Sequence, residues 1–553
     1  NTTGNSNTAV GKDALLSNTT GLQNVGVGVN ALELNTTGQD NTAVGKQSLA
    51  VNTTGSENAA LGYNALDANT TASFNTAVGS QALTSNTTGT SNTAIGRYSL
   101  PNNTTADNNT AVGRNCMAAN TTGHSNVAIG SSALQTNQTG NNNTAIGYLA
   151  LDKTTDDDNV GVGNYALREN TTGEYNTAVG YGALTKNETA DNNAAFGYKA
   201  LRNNTTGTDN VAVGSNALDA NTTASNNTAI GDESLTACTT GADNTAVGAS
   251  SLSSMTTANF NTAIGTRALN GLTTGSGHCA VGEDALLVAT TGTQNNAMGQ
   301  SALRSCTTGS YNLALGANSL AANTNASKNT AVGHSTLNAT TTGINNVAVG
   351  YFALDSNTTG ASNVAVGTQA LKSCTTGGNN VCIGLDAGDG ITTGTNNIFI
   401  GKGAADGGSF STGTNNIIIG VDSNPSLGDQ TNELKLGNGS TSVFRCNVQT
   451  ISSLSDARDK TDIVDIPDGL DFINSVRPVK YKWDRRIPDD TCGLVRAGFI
   501  AQELQEAQKG SEYLDLIYDA DPEFLEAKQG NLLPVMVKAI QELSAEVNAL
   551  KAA

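Results

Sequence analysis

A seventeen-residue repeat dominates the sequence and limits what the chain can fold into. The tetrapeptide N-T-T-G at residues 1–4 returns at 18–21, and the full unit reads N-T-T-G-x-x-N-T-A-V-G-x-x-A-L-x-x. About 25 units run to residue 426, one of them a residue short near Lys153 and one two residues longer near Gly408. A fixed period this short is typical of one coil of a solenoid rather than of an independent domain.

The residues of the unit favour strands over helices. Gly recurs in every unit and Asn in every unit but one, which leaves too few uninterrupted positions for a stable helix. Short strands at T-A-V and around A-L, joined by Gly and Asn corners, predict a parallel β-roll or β-helix. At about 4.8 Å per coil, the stack would form a rod of about 120 Å. We therefore predict a mainly β fold, a long parallel β-solenoid of about 25 coils.

Several positions of the unit carry a predicted role. Position 11 is always Gly, from Gly11 to Gly420, which indicates a positive φ or a close backbone approach. Position 7 is Asn except at His278, and stacked Asn side chains can form a hydrogen-bond ladder. Position 10 is large and apolar, as in Val10, and position 15 is nearly always Leu, as in Leu15. We predict these two positions as the core.

Position 9 is Ala or Gly in almost every unit, as in Ala9 and Ala43. Neighbouring residues of a strand point to opposite faces, so we expect position 9 to point outwards. A residue that has to stay small suggests another backbone close by. We predict that this face lies against neighbouring chains around a threefold axis. The alternative is that Ala merely suits a narrow coil.

Charge and composition exclude two classes of partner. The formal net charge is -19, with 14% charged residues. This argues against a nucleic-acid partner, because a protein that binds the phosphate backbone presents a surface rich in Lys and Arg. No apolar run approaches the length that crosses a bilayer, so we expect no membrane span. The chain begins within the repeat at Asn1, and we expect further residues to precede it.

The eight cysteines do not suggest a disulfide framework. Three of them share one position of the repeat, four coils apart, which places them about 19 Å apart and beyond disulfide reach: Cys238, Cys306 and Cys374. We expect reduced or inert thiols, no metal site and no cofactor. The three histidines are scattered over different coils, and we expect them at the surface: His124, His278 and His334.

Two features of the repeat could involve glycans. Each N-T-T triplet is a glycosylation sequon, but sugars on every coil would crowd one another, so a structural role for these Asn residues is favoured. Four tyrosines fall at position 12 or 13 of consecutive coils and predict an outward strip that could stack on a glycan: Tyr148, Tyr165, Tyr181 and Tyr198. The alternative is that an exposed corner merely tolerates Tyr.

The motif N-T-A-V-G-x-x-A-L resembles the head repeats of trimeric autotransporter adhesins of the YadA type. The resemblance covers most of residues 1–426 and implies a trimeric β-roll. Those repeats are typically shorter, and the N-T-T-G loop is an addition here.

The last hundred residues have a different character, with more charge and the only Trp, Trp483. They contain S-D-A-R-D-K at 455–460, R-P-V-K-Y at 477–481, G-F-I-A-Q-E at 498–503 and L-P-V-M-V-K-A-I-Q-E-L at 533–543. In this order and spacing, the motifs closely resemble the intramolecular chaperone domain of phage tailspikes and tail fibres, peptidase family S74 of the endosialidase type.

The S74 resemblance implies a domain that trimerises, guides folding of the preceding β-structure and then cuts itself off. Cleavage would fall between Leu454 and Ser455, with Ser455 as the nucleophile and Lys460 as its base. A Ser hydroxyl needs such a partner, and a desolvated Lys can take its proton. Asp459 stands where the family usually has Leu, and a carboxylate beside Lys460 would weaken the base.

The C-terminus also carries an apolar seam. Six residues alternate in steps of three and four after Pro534, which predicts a coiled-coil helix: Leu533, Met536, Ile540, Leu543, Val547 and Leu550. In a monomer the same stripe could pack on its own domain; with the resemblance, a trimeric coiled coil is favoured.

Together these features predict three segments: a solenoid shaft (1–426), a β stalk (427–454) and an α+β chaperone domain (455–553). The expected protein is a homotrimeric phage tail fibre or tailspike, located on the virion or outside the cell, that binds a host surface receptor, with a glycan as one candidate. Its only enzymatic activity would be single-turnover autoproteolysis. The alternatives are a cellular or secreted trimeric adhesin with the same chaperone, and a glycan-degrading spike enzyme, which the absence of repeated paired carboxylates disfavours.

Overall fold

The structure is a computed structural model that describes residues 2–407, 410–426, 428–441, 457–484, 493–519 and 525–552. The chain divides into two compact units, Asn1–Val381 and Cys382–Ala553. The first unit consists of repeat coils, and the second contains the last coils and the C-terminal domain.

Each described coil contributes one three-residue strand. The strands are β1 Thr8–Val10, β2 Val25–Val27, β3 Thr42–Val44, β4 Ala59–Leu61, β5 Thr76–Val78, β6 Thr93–Ile95, β7 Thr110–Val112, β8 Val127–Ile129, β9 Thr144–Ile146, β10 Val160–Val162, β11 Thr177–Val179, β12 Ala194–Phe196, β13 Val211–Val213, β14 Thr228–Ile230, β15 Thr245–Val247, β16 Thr262–Ile264, β17 Cys279–Val281, β18 Asn296–Met298, β19 Leu313–Leu315, β20 Thr330–Val332, β21 Val347–Val349, β22 Val364–Val366, β23 Val381–Ile383, β24 Ile398–Ile400, β25 Ile417–Ile419 and β26 Leu434–Leu436. This architecture confirms the predicted long parallel β-solenoid.

The parallel register follows the repeat. Thr8 pairs with Val25, and the same step of seventeen residues recurs along the first unit. At the short unit the step is sixteen, from Thr144 to Val160, and at the long unit it is nineteen, from Ile398 to Ile417. The loops therefore absorb both length changes and leave the ladder intact. Strand β26 pairs with β25 in the same way, within the segment predicted as a stalk.

The residues around A-L form turns, not the second strand that the sequence suggested. Leu15 has a φ of 53° and Leu32 a φ of 54°, and the same left-handed conformation recurs at position 15 along the first unit. A non-glycine residue in this region costs about 1–2 kcal/mol. The backbone adopts it because Leu15 N–H donates to Ala31 O of the next coil at 3.0 Å.

Buried Asn side chains join successive coils at two positions. At position 7, Oδ1 of Asn24 accepts the N–H of Asn41 at 3.0 Å, and Nδ2 of Asn41 donates to Gly55 O at 2.9 Å. At position 1, Nδ2 of Asn35 donates to Oδ1 of Asn18 at 2.8 Å. The predicted Asn ladder is confirmed. The Asn residues of the sequons are also buried, which supports their structural role.

The invariant Gly at position 11 meets both predicted conditions. Gly28 has a φ of 137°, and a Cβ placed there would lie 2.4 Å from Gly45 O of the next coil. No other residue fits this corner without displacing the neighbouring backbone.

The prediction for positions 9 and 10 was wrong, because the two faces of the strand are exchanged. Ala43 at position 9 is fully buried, whereas Ile95 and Phe196 at position 10 are 40% and 41% exposed. Leu at position 15 does belong to the core, as predicted. A Cβ on Gly26 would lie 3.3 Å from Cγ of Leu15, so the Leu side chain leaves room only for a small residue. The alternative reading, that Ala suits a narrow coil, is the one that holds.

The long coil of the second unit fills its interior differently. Position 9 is Phe399, and position 15 is Ala405 instead of Leu. The Phe399 ring contacts the buried Phe410 ring edge to face, with centroids 5.8 Å apart. The larger residue at one position therefore compensates for the smaller residue at the other.

The cysteines at position 1 are free and buried, as expected. Burial raises the pKa of Cys238, Cys306 and Cys374 to about 11, which makes these thiols unreactive.

His278 corrects the expectation that all three histidines lie at the surface. It replaces Asn at position 7 and is buried, whereas His124 and His334 are exposed. Its Nε2 lies 2.7 Å from Gly292 O, and its Nδ1 lies 3.3 Å from the N–H of Asn295. A neutral ring that donates from Nε2 and accepts at Nδ1 therefore continues the Asn ladder.

The C-terminal domain is a small α+β structure. Its elements are α1 Leu470–Ser475, β27 Val479–Lys482, β28 Val495–Gly498, α2 Ala501–Ala507, β29 Ile517–Tyr518, β30 Glu526–Ala527 and α3 Leu533–Ala552, with 3-10 turns at Ala457–Asp459, Glu512–Leu514 and Gln529–Leu532. Strands β27 and β28 form one antiparallel pair, and β29 and β30 another. Phe472, Leu504, Leu514, Leu516, Ile517, Leu532 and Val535 form its core.

The Gly180→Ala substitution should lower the stability of the shaft by more than about 1 kcal/mol, because φ is 135° and the new Cβ would lie 2.3 Å from Gly197 O. Thermal unfolding by circular dichroism measures the loss. Gly182→Ala in the same coil is the control, since Lys199 occupies that position at a φ of 54° in the next coil. Equal melting temperatures for the two variants would contradict this role for position 11.

His278 should make the shaft sensitive to acid. Burial lowers the pKa of His278, so the unfolded chain, with a pKa of about 6.5, binds this proton more readily. The stability that neutral His278 contributes is fully present above a pH of about 6.5. It is lost as the pH falls through the lower folded pKa, by up to about 1.4 kcal/mol per pH unit. His278→Asn should remove this part of the pH dependence of melting, and His124→Asn should not. Parallel profiles for wild type and His278→Asn would refute the assignment.

Candidate processing site and tyrosine strip

Helix α3 is fixed to the C-terminal domain by packing and by a charged hydrogen bond. Val535 and Ala539 are buried on its inner face. The carboxylate of Glu542 accepts the N–H of Leu470 at 2.7 Å, at the start of α1. An acidic group at a helix N-terminus satisfies a free N–H and interacts favourably with the helix dipole. A Cβ on Gly469 would overlap Glu542, which explains the glycine at this point.

Two of the sequence motifs meet through an ion pair. Arg477, from R-P-V-K-Y, donates from Nε to Glu503 at 3.1 Å and makes a second hydrogen bond through its other nitrogen. Glu503 is the last residue of G-F-I-A-Q-E. The hydrogen bond from Arg477 lowers the pKa of Glu503. The pair joins the residues before β27 to helix α2.

The predicted nucleophile, Ser455, lies outside the described residues, as do Leu454 and the side chain of Asp459. The predicted base, Lys460, is described and exposed, and its N–H donates to Ala457 O at 3.3 Å. The geometry of the Ser–Lys pair therefore stays a prediction.

Lys460 lines a groove with residues 461–467 and Tyr513. Asp468 accepts hydrogen bonds from the hydroxyls of Ser511 and Tyr513, and so holds one wall. Ile463 and Val464 expose most of their apolar surface beside it. The groove thus places an amino group beside exposed apolar side chains.

The predicted tyrosine strip is present in the first unit. The ring centroids of Tyr148 and Tyr165 lie 5.5 Å apart, those of Tyr165 and Tyr181 5.7 Å, and those of Tyr181 and Tyr198 5.6 Å. The first two contacts are edge to face and the third is stacked. Tyr148, Tyr181 and Tyr198 are 45–48% exposed. The rings therefore form one continuous outward surface.

Cations beside this strip were missed in the sequence analysis. The Nζ of Lys199 lies 4.8 Å from the centroid of Tyr198, and the guanidinium of Arg168 lies 5.7 Å from that of Tyr165. The signal was present in the repeat, because Arg168 and Arg202 stand at position 16 and Lys186 at position 17 of the same coils.

Residues 455–511 match the family described as Chaperone of endosialidase (Peptidase_S74). The C-terminal segment is similar to that family. The match includes Ser455, Lys460 and the Arg477–Glu503 pair, and it ends before α3. No curated protein and no solved structure matches the chain.

The described residues contain no helix that is both long and apolar enough to cross a membrane. Within the same residues, no three His, Cys, Asp or Glu side chains are grouped as ligands for a metal ion.

Proposed function

We propose that the chain is the subunit of a homotrimeric attachment fibre on a phage virion. The solenoid would form the shaft, and the C-terminal domain would be an intramolecular chaperone that trimerises the fibre and then cuts the Leu454–Ser455 bond. The match to the chaperone family supports the role of the C-terminal domain. The similarity of that domain to tailspike chaperones supports the assignment to a phage.

The observation that carries the proposal is an apolar surface on the shaft. We call the side chains at position 10 the outer ridge; its exposed members include Leu61, Ile95, Ile129, Phe196, Ile230, Ile264 and Met298. Monomeric proteins rarely leave continuous apolar patches larger than a few hundred Å² exposed. A second copy of the chain carries the same ridge with the same coil spacing, so copies of the chain can cover each other's ridge coil by coil.

The seam on α3 supports self-association in the same way. Val535 and Ala539 are buried against the domain, but the six predicted seam residues point elsewhere: Leu533, Met536, Ile540, Leu543, Val547 and Leu550 are 39–78% exposed. The stripe therefore does not pack on its own domain, which was the alternative open for a monomer. Three such helices would bury it in a coiled coil.

Assembly would also serve the cleavage step. A lysine acts as a base only when desolvated, and Lys460 is exposed within its own chain. We infer that neighbouring chains supply the missing burial. Cleavage would then follow trimer formation. It would make folding of the shaft hard to reverse, so that the assembled shaft is kinetically trapped.

Disruption of the seam should abolish the trimer. Residues 1–553 should sediment as a trimer, and Ile540→Lys should sediment as a monomer, because a charge at this position cannot be buried between three helices. Gln541→Lys, on an exposed polar position of the same helix, should stay trimeric. A monomeric wild-type chain would contradict the proposed fibre, and a trimeric Ile540→Lys variant would contradict the role of the seam in holding it together.

Cleavage should depend on both predicted catalytic residues. Intact mass spectrometry of the assembled wild-type chain should show a cut at Leu454–Ser455, and Ser455→Ala and Lys460→Met should leave the chain whole. Lys480→Met, at an exposed lysine of β27, should be cut as in wild type. An uncut wild-type trimer would refute self-cleavage, and a cut Ser455→Ala variant would refute the nucleophile.

A further inference from the structure

The tyrosine strip lies at a corner of the coil that is separate from the outer ridge. Position 10 ends the strand, and the Gly at position 11, with φ of 135° at Gly180, turns the backbone away before position 12. Tyr181 and Tyr198 at position 12 therefore follow the turn and lie outside the strand that carries the ridge. Binding to the strip requires that it stays accessible when other copies of the chain cover the ridge.

Positive charge accompanies the strip although the whole chain has a net charge of -19. Five cations stand at positions 13, 16 and 17 of these four coils: Lys153, Arg168, Lys186, Lys199 and Arg202. Lys153 lies 3.9 Å from Glu169, and Arg202 lies 3.1 Å from Asp219. Lys186 and Lys199 form no ion pair within 4 Å in the described part of the chain, although both lie close enough to Asp219 to act against the rise that burial causes in its pKa. Arg168 acts on Asp152 in the same way.

We propose that the strip binds an extended acidic polysaccharide. The apolar faces of successive sugar rings would lie along the tyrosines, and the lysines and arginines would bind its carboxylate, sulfate or phosphate groups. The proposal names the receptor class for the attachment role proposed above and rests on it.

The ring spacing and the charge density favour a polysaccharide over other ligands. The rings recur once per coil, with neighbouring centroids 5.5–5.7 Å apart, so the strip repeats on the scale of a single sugar residue. Two of the five cations are paired with carboxylates, which leaves sparse positive charge. Sparse charge suits a polymer with a charge on some of its sugars better than a nucleic acid with a charge on every phosphate.

The test uses the full chain on an array of oligosaccharides that bear uronate, sulfate, sialate or phosphate groups, each beside a neutral counterpart. The wild-type fibre should bind an acidic class, more weakly at high salt. Changing Tyr148, Tyr165, Tyr181 and Tyr198 together to Ser should weaken binding at least about tenfold. Arg168→Gln with Lys186→Gln and Lys199→Gln should remove the preference for the acidic member.

The matched control changes Tyr175 and Tyr311 to Ser, because these tyrosines are exposed at position 6, away from the strip. It should bind as wild type. No binding to any acidic class, binding that survives loss of the four tyrosines, or tighter binding to a single-stranded oligonucleotide would each overturn the proposal. Sedimentation of the same samples separates the proposed receptor class from the proposed fibre. A trimer that binds no acidic glycan refutes only the receptor class, and a monomer refutes the fibre.

Discussion

The contact between one coil and the next is the interaction on which the rest of the shaft depends. Backbone N–H groups, the Asn side chains at positions 1 and 7 and the carbonyls of the next coil form one repeated set of hydrogen bonds. Those bonds hold Leu at position 15 in a left-handed conformation that a free chain avoids. A single coil therefore has little reason to form, and each coil is stable only beside a formed neighbour.

This dependence makes the start of folding the difficult step. Successive coils are nearly identical, so pairing shifted by one whole coil satisfies almost the same hydrogen bonds and buries the same Leu residues. The C-terminal domain has the opposite character. Its contacts occur once, as in the Arg477–Glu503 pair and the bond from Leu470 to Glu542. A domain with unique contacts can fix a register that the repeats leave open.

The repeat predicted much of the fold because its period and its special residues have direct physical meaning. The solenoid, the Gly corner and the Asn ladder could all be inferred. The inward face could not, since alternation defines two faces without saying which is buried, and Val10 looked more like core than Ala9. The narrow interior reversed that choice. In the C-terminal domain, the sequence motifs singled out the segments that hold Arg477 and Glu503. No sequence pattern connects Glu542 to Leu470, 72 residues away.

The exchange of faces changes the physical logic of the shaft. Most coils bury Leu and a small residue inside and keep a larger apolar residue outside, so a single chain does not gain the free energy of burying those outer side chains. Association along the ridge would supply it. The corner after Gly at position 11 belongs neither to the buried interior nor to the outer ridge. Its residues differ widely between coils, as Lys12, Ser131 and Asp232 illustrate. A shaft built this way can change what its corners bind without changing how its coils stack.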